Sequence, residues 1–331
     1  MVRSPFRLLA VAASCLLVVA LCLPSMALAK TRLAFSGGPD GGTFQYFSNA
    51  ISSRLSKMIP DVEVSNMASA GSVENLRRVN SGDADFGVIY AGDLYLGATG
   101  QLTNDPRKYS NVLSMAYLYG APAHLAVLAD SGITQVTDLV GKRVAVGPAG
   151  SGAAASAQRY FTALGLWDKM KVEFIGYSEA ASSLGDRKIE AMWVFAGYPN
   201  SSIIQAAASN SIRLLSLVEA AKATNFFQNN PYYAEVTIPA GTYTGVDYDV
   251  QTVQDSTIWV AGKHVKADIV EKALTEVFSP EGLAYMLSVT KAAAAMSIKD
   301  GNYGIVTPLH AGAAKFWQAN GLTLTAAQQP L

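Results

Sequence analysis

Cysteine is almost missing from this 331-residue chain: the only two, Cys15 and Cys22, fall within the first thirty residues. A chain cut after residue 29 has no thiol, which excludes disulfide staples, cysteine nucleophiles, cysteine zinc sites and iron–sulfur ligation together. Histidine is scarce too. His124, His264 and His310 stand alone, outside any H-E-x-x-H or H-x-H frame, so no metal site is expected from them. Charged residues make up only 15%, and Lys plus Arg equals Asp plus Glu at 25 each, which leaves no electrostatic footprint for nucleic acid. Gly141-Lys142-Arg143 lacks the Ser or Thr and the upstream glycine of a phosphate loop, and no G-x-S-x-G elbow occurs. The acids Asp83 and Asp85 sit in a turn string, where carboxylates act as turn and cap residues. With no nucleophile, base and orienting acid in a recognisable arrangement, the chain reads as a binding protein rather than an enzyme, with no cofactor and no metal.

Apolar residues are plentiful, at 50%. Part of that excess is the run Leu8 to Leu23, which follows Arg3 and Arg7 and precedes Pro24 and Ala27-Leu28-Ala29. A basic start, an apolar stretch of about 16 residues, short of the ~20 needed to span a bilayer, and an A-x-A site make residues 1–29 an export signal cut after Ala29. Losing Arg3 and Arg7 leaves 23 basic against 25 acidic groups, a weakly acidic exported protein.

From Lys30 on, short apolar runs alternate with Gly-rich turns and helical stretches, the rhythm of an α/β fold. Strands are expected at 31–35, 62–67 and 86–90 and helices at 43–58 and from Ser72 through Val79. A second unit repeats this grammar: strands at 143–146, 171–175 and 191–195, helices at 153–164 and 178–184. A long strand is expected over 117–129, another over 257–261, and helices over 268–278 and 311–319.

Three turns precede helices: Gly41-Gly42-Thr43, Gly71-Ser72-Val73 and Gly150-Ser151-Gly152. Glycine lets a ligand approach the backbone, and a helix N-terminus offers unpaired N–H groups with partial positive charge, so these turns are candidate carboxylate cradles. Ser72 and Thr43 could equally be plain N-caps, although Ser72 has no acid three residues on to complete a capping box. Phe44, Tyr46, Tyr90, Phe195 and Tyr198 would supply pocket walls.

The same strings, with Gly82-Asp83-Ala84-Asp85-Phe86, Asp138-Leu139 before Gly141-Lys142-Arg143-Val144, and Pro308-Leu309-His310-Ala311-Gly312-Ala313, occur in an order that resembles the TAXI family of TRAP-transporter solute-binding proteins over 31–321. The resemblance implies a type II periplasmic binding architecture. Residues 30–121 with 240–331 would form lobe 1 and 122–239 lobe 2, with a ligand cleft between and crossings near 121–125 and 238–242. It implies a monomeric periplasmic receptor that gives a small organic acid or amino acid to a TRAP permease; a receptor that feeds a sensor protein is the alternative. The expected ligand-binding residues are Gly42, Thr43, Phe44, Gln45, Gly71, Ser72, Val73, Tyr90, Ser151, Gly152, Ala153, Phe195, Gly197 and Pro199, with the Thr43, Ser72 and Ser151 hydroxyls as donors. Family members often have two tyrosines where this chain has Phe44 and Gln45, and Pro-Glu where it has Gly120-Ala121. The missing acid tilts the expectation toward carboxylates without an ammonium group.

Overall fold

The computed structural model describes residues 30–103 and 105–331; the expected signal segment, with its cut after Ala29, lies outside the described residues. The first unit runs β1 (Thr31–Ser36), α1 (Thr43–Met58), β2 (Val62–Met67), α2 (Ser72–Ser81), β3 (Phe86–Tyr90) and α3 (Ala91–Thr99). After the long strand β4 (Val112–Leu128) come β5 (Arg143–Ala145), α4 (Gly152–Ala163), β6 (Lys171–Glu173), α5 (Tyr177–Gly185), β7 (Ala191–Phe195) and α6 (Ser201–Ser209). The chain continues through β8 (Ile212–Leu214), α7 (Val218–Ala223), α8 (Phe226–Asn229), β9 (Tyr233–Ile238) and β10 (Val250–Gly262), and ends with α9 (Ala267–Val277), α10 (Pro280–Val289) and α11 (Ala311–Ala319).

The strands follow the order β2-β1-β3-β10-β4-β7-β5-β6, with β8 paired to β4 and β9 to β10. β1 pairs in parallel with both β2 and β3, and β5 with both β6 and β7, so the repeated grammar is a repeated topology. β3 and β7, FGVIY and AMWVF, are buried at every position, the continuous apolar pattern of strands covered on both faces. α1 carries Phe44, Phe47, Ile51 and Leu55 at helical spacing, all buried, and stops at Ile59 because the following Pro60 disfavours helical backbone there.

β4 joins the two halves. It pairs with β10 up to Pro122 and with β7 from Ala123 onward, inside the region where a crossing was expected. The second crossing was expected near 238–242, where the chain enters the connection between β9 and β10. β9 and β10 form an antiparallel hairpin whose connection, residues 239–249, is closed by Gly241 N–H donating to the Val246 carbonyl at 2.8 Å. Within β10, Val250 to Asp255 pairs with β9, while Thr257 to Ala261 pairs with β3.

Candidate functional site

Helices α1, α2 and α4 all start where a parallel strand ends, and these starts converge. One cavity is lined by Gly42, Thr43 and Phe44 at α1, Gly71 and Ser72 at α2, and Gly152 and Ala153 at α4, with Tyr90 and Phe195 from the ends of β3 and β7. Open α/β sheets place ligands at this end of their strands, at a topological switch point. Gly71 is the N-cap of α2 with φ +120°, a backbone conformation that only glycine adopts without strain. Glu74 then stands at the third helical position and accepts from the Ala70 N–H at 2.7 Å. Ser72 is therefore not the cap. Its hydroxyl accepts from the Tyr90 N–H at 3.0 Å and keeps a proton to donate. The backbone N–H groups of Thr43, Ser72, Gly152 and Ala153 make no hydrogen bond among the described residues.

The aromatic walls touch across the cleft: Phe44 and Tyr90 rings are 4.7 Å apart, Tyr90 and Phe195 rings 4.8 Å. The Tyr90 hydroxyl donates to the Phe195 carbonyl, which also accepts from Tyr177 at 3.1 Å. Burial raises the pKa of Tyr90 and of Tyr177, so both hydroxyls stay protonated donors. Further ties close the two halves: Asn200 Nδ2 and Ser201 Oγ both donate to the Gly41 carbonyl at 3.1 Å, and Thr43 Oγ1 reaches the Gly197 carbonyl at 3.5 Å. The space left in the cavity, about 10 Å³, is roughly that of one water.

Beneath the cavity lies a charged cluster. Asp93 on α3 pairs with Arg159 on α4 at 2.8 Å, with the Asp93 side chain fully buried and that of Arg159 8% exposed. Arg159 also donates to the Tyr233 hydroxyl at 3.1 Å. Nearby Asp255 accepts from the Gly92 and Ser256 N–H groups; burial first, and then the charge of Asp93, push its carboxyl far above the usual range. Burial thus favours the neutral form of Asp255, which lies beside the Asp93–Arg159 ion pair.

Nine of the fourteen expected residues line the cavity. Ser151 does not: its hydroxyl caps α4 by accepting from Ala154 N–H at 3.0 Å, and with Val73 it borders a separate recess beside Arg77 and Arg159. Gln45 is turned to the Gly37-Gly38 turn, where its amide oxygen accepts from Gly38 N–H at 3.0 Å. Gly197 lines a neighbouring cavity, and Pro199, after a cis peptide bond, is exposed. Of the other expected walls, Tyr46 is 42% exposed and Tyr198 faces the neighbouring cavity. Pro39, Ala70, Tyr177 and Ala196 complete the lining without having been anticipated. Asp93 and Arg159 were missed as well. Arg159 stands seven residues, two helical turns, after Gly152 and so shares its face. That spacing was a usable signal.

Among solved structures, the chain is similar to MatC from Rhodopseudomonas palustris with bound malate, at 16% identity over 88% of this chain and 96% of that one, TM-score 0.55. It is similar to the periplasmic binding protein BugD, at 12% identity over 78% and 86%, TM-score 0.50. A weaker likeness, TM-score 0.48 at 15% identity over 88% and 92%, is to the alkanesulfonate-binding protein SsuA from Xanthomonas axonopodis pv. citri bound to MOPS. The fold is that of the type II periplasmic binding proteins, as expected, with a mixed sheet running through both halves. The family match spans residues 35–321 and does not single out the TAXI grouping: the chain belongs to the NMT1-like family.

Proposed function

We propose that the chain is an exported solute-binding receptor of the TAXI kind, which encloses a small carboxylate between two lobes and delivers it to a TRAP permease in the membrane. The observation that carries this reading is the convergence of three helix N-termini, two from one half and one from the other, on a single cavity with free N–H groups. A carboxylate there gains donors from both halves only when they are closed, and that difference in affinity is what a ligand needs to shift a hinge equilibrium. The pairing pattern supports lobes divided between Pro122 and Ala123 on β4 and again within β10, rather than at residues 239–240. MatC, which is similar in fold and holds malate in its structure, supports a small acid as the ligand. Because the cavity now admits about one water, the lobes must part for a ligand to enter and then close around it less tightly.

The test is the melting temperature of the chain from Lys30 against dicarboxylates, keto acids and amino acids, since a ligand of the folded state adds RT ln(1 + [L]/Kd) to stability. A rise of several degrees with an acid supports the reading. No rise with any of them rejects the carboxylate ligand.

A further inference from the structure

We infer that the recess between α2 and α4 is a second ligand site, separate from the cleft cavity, and that it takes a tetrahedral oxyanion of the phosphate or sulfate class. The recess encloses about 170 Å³ and is walled from both halves. Arg77 on α2 and Thr103 beyond α3 stand on one side, and Ser151, Gln158 and Arg159 of α4 and its cap on the other. Among the described residues, no acid lines it.

Two guanidinium groups meet there with donors to spare. The Arg159 side chain is only 8% exposed; its Nε donates to the Tyr233 hydroxyl and its Nη2 to Asp93, while its Nη1 makes no hydrogen bond among the described residues. Arg77, from the facing helix, places Nε and Nη2 on Asp105 and likewise leaves Nη1 without a partner among the described residues. A Cβ on Gly150 would lie 4.0 Å from that Nη1, so the nitrogen reaches across the recess to the turn before α4. Buried donors are normally matched, and an anion between the two arginines would match both.

Hydroxyl and amide groups complete the wall. Ser151 is buried and its Oγ accepts from Ala154 N–H, which leaves its proton free to donate into the recess. The Gln158 side chain makes no hydrogen bond among the described residues and adds an amide donor.

Charge sets the sign of the ligand. Asp105 receives both Arg77, at 3.0 Å, and Arg107, at 2.8 Å, and Asp93 answers Arg159. Three guanidiniums against two carboxylates leave one positive charge over, next to a recess without an acid. Geometry sets its shape. The donors approach from two helices on opposite walls, whereas a carboxylate offers its oxygens in one plane; a tetrahedral oxyanion presents oxygens to every side, and the guanidinium fork matches them. Because the donors come from both halves, the anion favours their closed arrangement whatever occupies the cleft.

The experiment is titration calorimetry of the chain from Lys30 with inorganic phosphate and with sulfate, against planar nitrate, at fixed ionic strength in chloride. Phosphate or sulfate should bind at a single site, tenfold or more tightly than nitrate. Arg77→Gln should weaken that binding at least tenfold, and Arg77→Lys should weaken it less. Asp105 keeps Arg107 and the Tyr109 hydroxyl, at 2.6 Å, in the Arg77→Gln protein, so the fold retains that tie. Ala155→Glu, at a half-buried position in the wall, should abolish binding by bringing in an acid. Melting of each variant in chloride separates lost binding from lost folding. A wild-type chain that binds neither oxyanion, or one whose affinity for them survives Arg77→Gln or Ala155→Glu unchanged, would overturn the site.

Discussion

Arg159→Ala is the substitution with the largest consequence that the geometry allows to be worked out. The Asp93 side chain is fully buried, its Oδ1 lies 2.8 Å from Arg159, and its Oδ2 has no partner among the described residues, so the guanidinium is its main compensation. Removing one member of a buried pair typically costs about 3–5 kcal/mol, because the other charge is left in a low-dielectric site. With roughly 2 °C of melting temperature per kcal/mol at this chain length, the variant should melt about 6–10 °C lower. If the proposed lobes open between the helices that carry Asp93 and Arg159, Asp93 returns to water, and part of the loss then shows as weaker ligand binding instead of a lower melting temperature. Both are therefore measured, by calorimetric melting and by titration with an acid that binds the wild type. Adding Asp93→Asn should recover at least half of the combined loss, since an amide needs no counter-ion. An Arg159→Ala protein that melts and binds like the wild type would refute the account of the cluster as a buried interlobe tie.

Gly152→Ala places a methyl against Ser72 Cβ, with 2.7 Å to Asp93 Oδ2 and 2.7 Å to the Tyr90 ring, so it should wedge the cleft and weaken ligand affinity more than tenfold; small-angle scattering that shows the same liganded dimensions as wild type would contradict this. Ser151→Ala removes a helix cap and should cost about 1 kcal/mol of stability with affinity within threefold of wild type, as read from melting and titration together. His124 is held neutral: its Nδ1–H donates to the Val194 carbonyl, its Nε2 accepts from the Tyr243 hydroxyl at 2.8 Å, and burial lowers its pKa from 6.5 to about 4. Between those values the unfolded chain binds more protons than the folded one, so the histidine's contribution, roughly 3 kcal/mol, is full above pH 6.5 and is lost as pH falls toward 4. Denaturant titrations from pH 7 to 4 should show a shallower decline for His124→Gln than for wild type.

Local signals carried far in this chain, and their reach marks what a sequence can express. The helices at 43–58 and 311–319 and the strands at 62–67, 86–90 and 191–195 fall at their expected ends, because apolar periodicity and flanking Gly or Pro act within a few residues. The helices at 91–99, 201–209 and 280–289 were not read. Tyr90 passes straight from β3 into α3 without a turn residue between, and α6 is capped by Asn200, whose side chain accepts from Ser202 and Ile203 N–H, in a stretch read only as the end of a strand. At the site, the Gly-rich turns were legible because the need for a bare backbone at a helix start is itself local. What each hydroxyl does was not. Ser72, Ser151 and Thr43 stand in near-identical Gly-Ser or Gly-Thr strings, yet one accepts from a strand N–H, one caps its own helix and one reaches across to Gly197. The difference lies in whether the helix begins at the glycine or at the hydroxyl residue, a shift of one position that turns the side chain by about 100°. The same limit hid Asp93, Arg159 and Asp255, which lie on two helices and a strand far apart in the chain and acquire their meaning only when the sheet closes the two halves over one another.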